Sequence, residues 1–398
     1  MTKVGLGVGA GRRTGLGAAR RRSLRWLAGL VTAVAMLTAP AALGVASRYA
    51  PVAGSPYAMP DFADSAVFSP DGRLLAVDST DLVDHGTRLR SDSQLFAVSG
   101  TGALTALPGS LVSTTGDPLG FITFSPDGKL ISAYGALGLS LYAVGHDGIA
   151  GEVGTWRYPL AGVAHVGADF GPHGRLLAVP LSTKSGHRGA GTELYMLAVG
   201  RNGRIRRVPG TPVLVGSPAS NVAATDFSPS GRLIALADEG EDMVWVYAVR
   251  PNGSVSRRAV SVAATADVPT SVAFSPGGRL LAVANDFSDD VSIFRVGRGG
   301  ALRAAQGSPF TTGADSGPDA LAFSPDGRLL VVADSGGLRE PVFAVSPGGA
   351  LRRVQLLRAS DTAGPDVVSA DGVSFSPDGR LLAISDYAGA TVWMFSRP

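Results

Sequence analysis

The sequence predicts an all-β fold: a seven-bladed β-propeller of four-stranded antiparallel blades, closed by an N-terminal strand that completes the last blade. Three observations predict it. A ten-residue motif recurs seven times, and no sustained 3.6-residue apolar period occurs after residue 47. The chain is also dense in turn formers, with 54 Gly and 26 Pro among 398 residues, yet 45% hydrophobic, which excludes collagen and disorder. With no Cys, disulfide scaffolds, Cys-based zinc sites and thiol nucleophiles are excluded.

The motif reads Phe68-Ser69-Pro70-Asp71-Gly72-Arg73-Leu74-Leu75 and returns from Phe124, Phe170, Phe227, Phe274, Phe323 and Phe375. The spacings are 56, 46, 57, 47, 49 and 52 residues, a period that suits propeller blades. In each unit a first strand ends at the Phe. The Ser-Pro-Asp-Gly stretch then turns the chain, because Pro presets φ and Gly accepts positive φ. A second, nearly continuous apolar strand follows (Leu280-Leu281-Ala282-Val283-Ala284), as expected where both sheet faces are covered. The third strand alternates (Val291-Ser292-Ile293-Phe294-Arg295-Val296), and a Gly-rich turn leads to a weak outer strand. The seventh unit stops after its third strand. Its missing outer strand is expected from residues 48–57, because Gly54-Ser55-Pro56-Tyr57 repeats Gly307-Ser308-Pro309-Phe310, the tail of an outer strand.

Residues 1–47 read as a signal peptide or N-terminal membrane anchor, and residues 48–398 as the propeller. Seven Lys and Arg and no acid precede the uncharged stretch from Trp26 to Ser47, which fixes an orientation with the body outside. Ala39-Pro40-Ala41 and Gly44-Val45-Ala46 both suit a cleavage site, so the mature chain is expected to start near Arg48. The same stretch just reaches spanning length, which keeps the anchor open. Arg21-Arg22-Ser23-Leu24 is a weak twin-arginine match and leaves the translocation route open. The formal charge of +3 comes from this leader, since the body holds 28 basic against 32 acidic residues. A nucleic-acid partner is therefore not expected.

Gly307-Ser308-Pro309-Phe310, Ser271-Val272-Ala273-Phe274-Ser275-Pro276 and Ala282-Val283-Ala284-Asn285 resemble the lactonase-like seven-bladed propeller family. Close relatives in that group are surface-layer propellers with a Tyr-Val-Thr-Asn repeat, and the resemblance covers about residues 48–398. WD-repeat propellers share the turn, but their Gly-His and Trp-Asp signatures are missing here. Resemblance to the phosphogluconolactonase type implies a Pro-Arg-His before the first-strand Phe and an Asn-Glu after the second strand. The matching stretches, 221–227 and 318–323, lack the Arg-His pair, while Glu239 stands where the family's Glu would be.

Loops between second and third strands share one face with the connections between blades, and the candidate ligand-binding face is drawn from them. Two insertions, 81–92 and 183–189, supply Asp84, His85, Arg88, Lys184, His187 and Arg188; second-strand ends supply Asp238, Glu239 and Asp286. If the protein is an enzyme, Glu239 with Arg88 or Arg188 would form the catalytic set, a base and a cation for lactone opening. The five His never form a metal-spaced pair and no cation-loop motif occurs, so no metal or cofactor is expected. The expected function is an exported, non-catalytic binding or scaffold module of the cell envelope or extracellular space. Its partner would be an envelope protein, a glycan or a small molecule, with the membrane involved only through an uncleaved N-terminal segment. The alternative is a lactonase-like hydrolase acting at the ring mouth.

Overall fold

The computed structural model describes residues 48–398 apart from 84–87, 110–111, 116–121, 136–137, 146–147, 160–162, 166–167, 184–190, 337–338, 359–369 and 388. These residues form seven antiparallel sheets, one per motif copy. Residues 1–47, expected above to be a signal peptide or anchor, lie outside the described residues. Among those described there is no α-helix, only the single 3-10 turns Asp286–Ser288 and Arg298–Gly300, and no helix is long and apolar enough to cross a membrane.

Blade 5 shows the plan. Pro269–Phe274 is innermost, followed by Leu280–Asn285, Asp290–Val296 and the short outer Leu302–Ala304, with Phe310–Thr311 also pairing with the third strand. Blade 4 repeats it with Val222–Phe227, Leu233–Asp238, Met243–Ala248 and Ser261–Ala264. Blade 6 uses Pro318–Phe323, Leu329–Asp334, Glu340–Val345 and Leu351–Leu357. In all seven blades the first strand ends at the motif Phe. The second strand is buried at every residue in blades 5, 6 and 7, which explains its unbroken apolar sequence.

The motif turn is held by its own side chains. Ser69 Oγ donates to Asp71 Oδ1 (2.7 Å) and accepts the Leu74 N–H (2.9 Å), while Asp71 Oδ1 also accepts the Arg73 N–H (3.1 Å). Burial pushes the Asp71 carboxyl up, but the Ser69 hydroxyl, the Arg73 N–H and the Arg73 charge together hold it below its ordinary value. Asp127, Asp326 and Asp378 repeat the arrangement. The turn Gly has positive φ (72° at Gly72) and rests against the proline of the preceding blade's turn: a Cβ on Gly72 would come within 3.2 Å of Pro377 Cδ. The same pairing runs through all seven turns and so goes once around the ring.

The described residues of the insertion at 81–92 are strand rather than loop. Leu74–Val83 and Arg88–Val98 stay paired out to Val83 opposite Arg88, so the blade 1 hairpin simply lengthens. Leu176–Thr183 and Gly191–Val199 do the same in blade 3. Continued pairing satisfies backbone N–H and C=O groups that a loop would leave to water.

Blade 7, Ala370–Phe375, Leu381–Asp386 and Thr391–Ser396, takes its outer partners from the other end of the propeller. Ala50 and Pro51 pair with Ser396 and Phe395, and Tyr57 and Ala58 with Val392 and Thr391. Between these two short pairings Ser55 Oγ accepts the Met394 N–H (2.8 Å). Tyr49, 4% exposed, donates its hydroxyl to the Gly379 carbonyl (2.6 Å), and the Gln355 amide of blade 6 bonds both its N–H and its C=O (3.0 and 2.7 Å). Tyr49→Ala should cost about 3 kcal/mol, the scale of a buried aromatic deletion. Gln355→Ala should cost about 1 kcal/mol, the net worth of the exchanged hydrogen bonds. Urea melts check both, and a Tyr49→Ala protein as stable as the parent would remove residues 48–58 from any part in holding blade 7.

Candidate functional site

Second-strand ends and first-strand starts meet at one end of the ring, here called the mouth, and the second strands of blades 4, 6 and 7 end there in Asp238, Asp334 and Asp386. Asp238, at the end of Leu233–Asp238, is turned inward. Its Oδ1 accepts the Asn221 N–H (2.8 Å) and the Gly240 N–H (3.2 Å), and Oδ2 accepts the Trp245 indole N–H (3.0 Å). It is fully buried, so of the ligand-face candidates it is a structural residue that ties the blade 4 turn together.

Glu239, the next residue, is half-buried and accepts a hydrogen bond from the Asn221 side-chain amide. Burial first, then the Asp238 and Asp286 charges, push its carboxyl above the ordinary value. Asp286 stands at the corresponding position of blade 5 and is raised by burial and by Asp289. Asp289 itself is held down by three backbone donors: Ser316 (2.8 Å) and Gly317 (3.0 Å) on Oδ1 and Asp315 (2.9 Å) on Oδ2. It thereby fixes the connection into blade 6, as Asp242 fixes the one into blade 5 through the Val268 N–H (2.9 Å). The mouth thus brings Glu239 and Asp286 together on adjacent blades, braced from both sides. Arg339 is exposed at the same end of blade 6.

Asp84, His85, Lys184, His187 and Arg188 lie outside the described residues. Arg88 begins the third strand of blade 1, opposite Val83. Among the described residues no group of three His, Asp or Glu is placed to hold a metal ion.

Two carboxyl pairings were not read from the sequence, although Asp334 was recognisable there as an acid at a second-strand end. Asp169 and Asp226 precede the first-strand Phe of blades 3 and 4, where other blades carry Val67, Thr123, Ala273, Ala322 and Ser374. Each reaches across to the next blade: Asp169 Oδ2 accepts the Phe227 N–H (3.3 Å) and Asp226 Oδ2 the Phe274 N–H (2.5 Å). Burial raises both, and their proximity raises Asp226 further. The second pair is Asp334 and Glu340 of blade 6. By strand register Glu340 occupies the position of Val244, Val291 and Val392 in blades 4, 5 and 7. Its Oε2 accepts the Asp334 N–H (2.7 Å), while Glu340 Oε1 and Asp334 Oδ1 have no partner. Asp169, Asp226 and Glu340 each place an acid where the other blades carry a small or apolar residue, whereas Asp334 shares its position with Asp238, Asn285 and Asp386.

Comparison with known proteins agrees with this architecture. Residues 195–314 match the family model described as lactonase, 7-bladed beta-propeller. A periplasmic gluconolactonase of Pseudomonas aeruginosa superposes with a TM-score of 0.60 at 23% identity, over 74% of this chain and 85% of that one. A candidate 6-phosphogluconolactonase of Bacteroides fragilis gives 0.61 at 17% identity, over 74% and 84%. A β-propeller domain from Myceliophteria thermophila gives 0.62 at 14% identity, over 87% and 100%. No curated protein matches the sequence. The chain is a seven-bladed β-propeller, and its resemblance to the lactonase-like propellers, read first from the repeats, is carried by the family match through blades 4 and 5.

Asp334 generates a pH prediction. Burial and the Asp289 charge push it from the ordinary 3.8 to about 8, so the folded protein holds it neutral where the unfolded chain would ionise it. That contribution to stability is complete below 3.8 and is lost as pH rises through about 8. The lowered turn aspartates act in the other direction and only on acidification below their ordinary value, outside this window. The melting temperature should therefore fall by several degrees between about pH 5 and pH 9, and Asp334→Asn should flatten that slope. A slope unchanged in Asp334→Asn would show that the carboxyl is ionised in the fold.

Proposed function

We propose that this protein is a propeller hydrolase that opens lactone rings at the mouth, with Glu239 as general base. The observation that carries this reading is that the stretch matched to the lactonase family contains Glu239 and Asp286 on adjacent blades, with Glu239 half-buried, amide-held and raised. A carboxylate whose pKa is lifted toward neutrality is a better proton acceptor than an ordinary one. Ionised Glu239 takes a proton from water as the hydroxyl adds to the lactone carbonyl carbon. The ring C–O bond then breaks and the proton passes to the departing alkoxide, leaving a hydroxy acid. Asn221 holds the Glu239 carboxylate in place for this step. The developing oxyanion calls for a cation, for which Arg88 and Arg188 are the sequence candidates and Arg339 a described one on the same end.

Purified protein should hydrolyse sugar lactones such as gluconolactone, with kcat/KM rising with pH as Glu239 ionises. Glu239→Gln should lower kcat about 10²- to 10⁴-fold. No turnover across a lactone panel, or full activity in Glu239→Gln, would overturn the assignment.

The missing Arg-His pair at 221–227 and 318–323 favours a second reading, a non-catalytic binding module of the envelope. Saturable ligand binding without turnover would select it. Under either reading we assign the propeller to the outside of the cytoplasmic membrane, on the basic, then apolar, then small-residue order of residues 1–47. N-terminal sequencing of the mature protein should give a start near Arg48. A chain that keeps residues 1–47 and stays soluble in the cytoplasm would exclude export.

A further inference from the structure

At the end of blade 5 opposite the mouth lies a cleft of about 640 Å³ whose walls carry Arg279, Arg295, Arg298 and Arg303, closed on one side by Pro347 of blade 6. It stands at the far end of Leu280–Asn285 from Asp286, about 17 Å away at the usual rise per strand residue. All four arginines are exposed, and among the described residues no hydrogen bond or ion pair engages their guanidinium groups.

Arginines are common at this end of the blades, as Arg204, Arg206 and Arg207 show in blade 3, but one on the third strand is particular to blade 5. Arg295 faces Leu280 in the second strand, a position held in the other six blades by Ala97, Ala143, Ala198, Ala248, Ala344 and Ser396. On its other side Arg295 lies directly opposite Arg303. In blades 3 and 6 the matching outer-strand residues, Arg206 and Arg352, oppose Ala198 and Ala344 instead. Like charges directly opposite across a strand pair are destabilising. The turn before Arg279 lacks its acid, as do the turns of blades 3 and 4 with His173 and Ser230: Gly277 stands where Asp71, Asp127, Asp326 and Asp378 accept the backbone N–H of the following Arg or Lys and offset its charge. Blade 5 thus gains a cation, loses an anion and keeps a repulsive pair, all around one cleft.

We propose that this cleft binds a soluble oligophosphate, a ligand carrying two or more linked phosphoryl groups. Guanidinium forks bond phosphate oxygens in pairs, and four forks match the several charges of such a ligand better than a single carboxylate would. The volume lies in the range of small-molecule sites. No aromatic side chain lines the cleft, so recognition rests on the phosphoryl groups rather than on a stacked base.

The test is calorimetric titration of the purified protein with inorganic diphosphate at low salt. One saturable site is expected, weakened about tenfold or more by Arg295→Ala and by Arg303→Ala, each of which removes a fork. Arg206→Ala, an exposed arginine at the matching position of blade 3, should leave it unchanged. Gly277→Asp restores the repeat's acid at a position with open space around it and should also weaken binding. Arg295→Ala should melt at the same or a higher temperature, because it relieves the repulsion and installs the residue that most blades carry. No saturable binding, equal loss in Arg206→Ala, or binding to phosphatidylglycerol vesicles with none to diphosphate would each overturn the proposal.

Discussion

Seven turns, each with its glycine seated on the proline of the turn before, form the closed circuit on which the rest of the propeller depends. A Cβ at that glycine would approach the neighbouring proline ring to 3.2–3.6 Å in every one of the seven, including Gly72 against Pro377, where the last blade meets the first. Close approach sets the spacing between blades. The second strands can then be buried on both faces, and cores such as that of Val331, Ile384, Trp393 and Phe395 fill the space between neighbours. The turn is rigid because Ser and Asp side chains satisfy its backbone donors, so the contact is made by a preformed surface.

Fixed spacing also decides what happens to charge. At the mouth, burial first raises Glu239, Asp286 and Asp334, and neighbouring acids add to it, Asp238 and Asp286 on Glu239 and Asp289 on the other two. Where an acid meets several backbone N–H groups, as Asp289 does, it is held down and becomes a brace. The same residue type thus serves as strut or as titrating group according to its donors. At the opposite end of blade 5 the repeat's own acid is missing, and an arginine-lined cleft takes its place. The two ends of one blade carry opposite charge, with Leu280–Asn285 between them.

Much of the architecture was legible in the sequence. The Phe at the end of each first strand, the Ser-Pro-Asp-Gly turn and the alternating third strand are local signals, and local signals specify local geometry. The candidate site was less legible. Glu239 and Asp286 could be placed at strand ends from sequence, but Asp238 beside them looked equally available. Its burial depends on the Trp245 indole and on the Asn221 backbone, which only the blade register aligns.

Strand pattern and turn chemistry were determined by the sequence alone, because each depends on residues within a few positions of one another. Tertiary structure decided which of the acids would be ionised and which arginines would stand together. Asp226 is raised by burial and then by an aspartate 57 positions away, and Glu340 lies in a core site that becomes visible only when strands of several blades are aligned. Arg279, Arg295 and Arg303 read as ordinary surface cations along the chain. They become one cleft because antiparallel pairing sets Arg295 opposite Arg303 and alongside the strand that begins just after Arg279. Burial, pKa and charge density are properties of neighbours in space, and those neighbours come from elements far apart in the sequence.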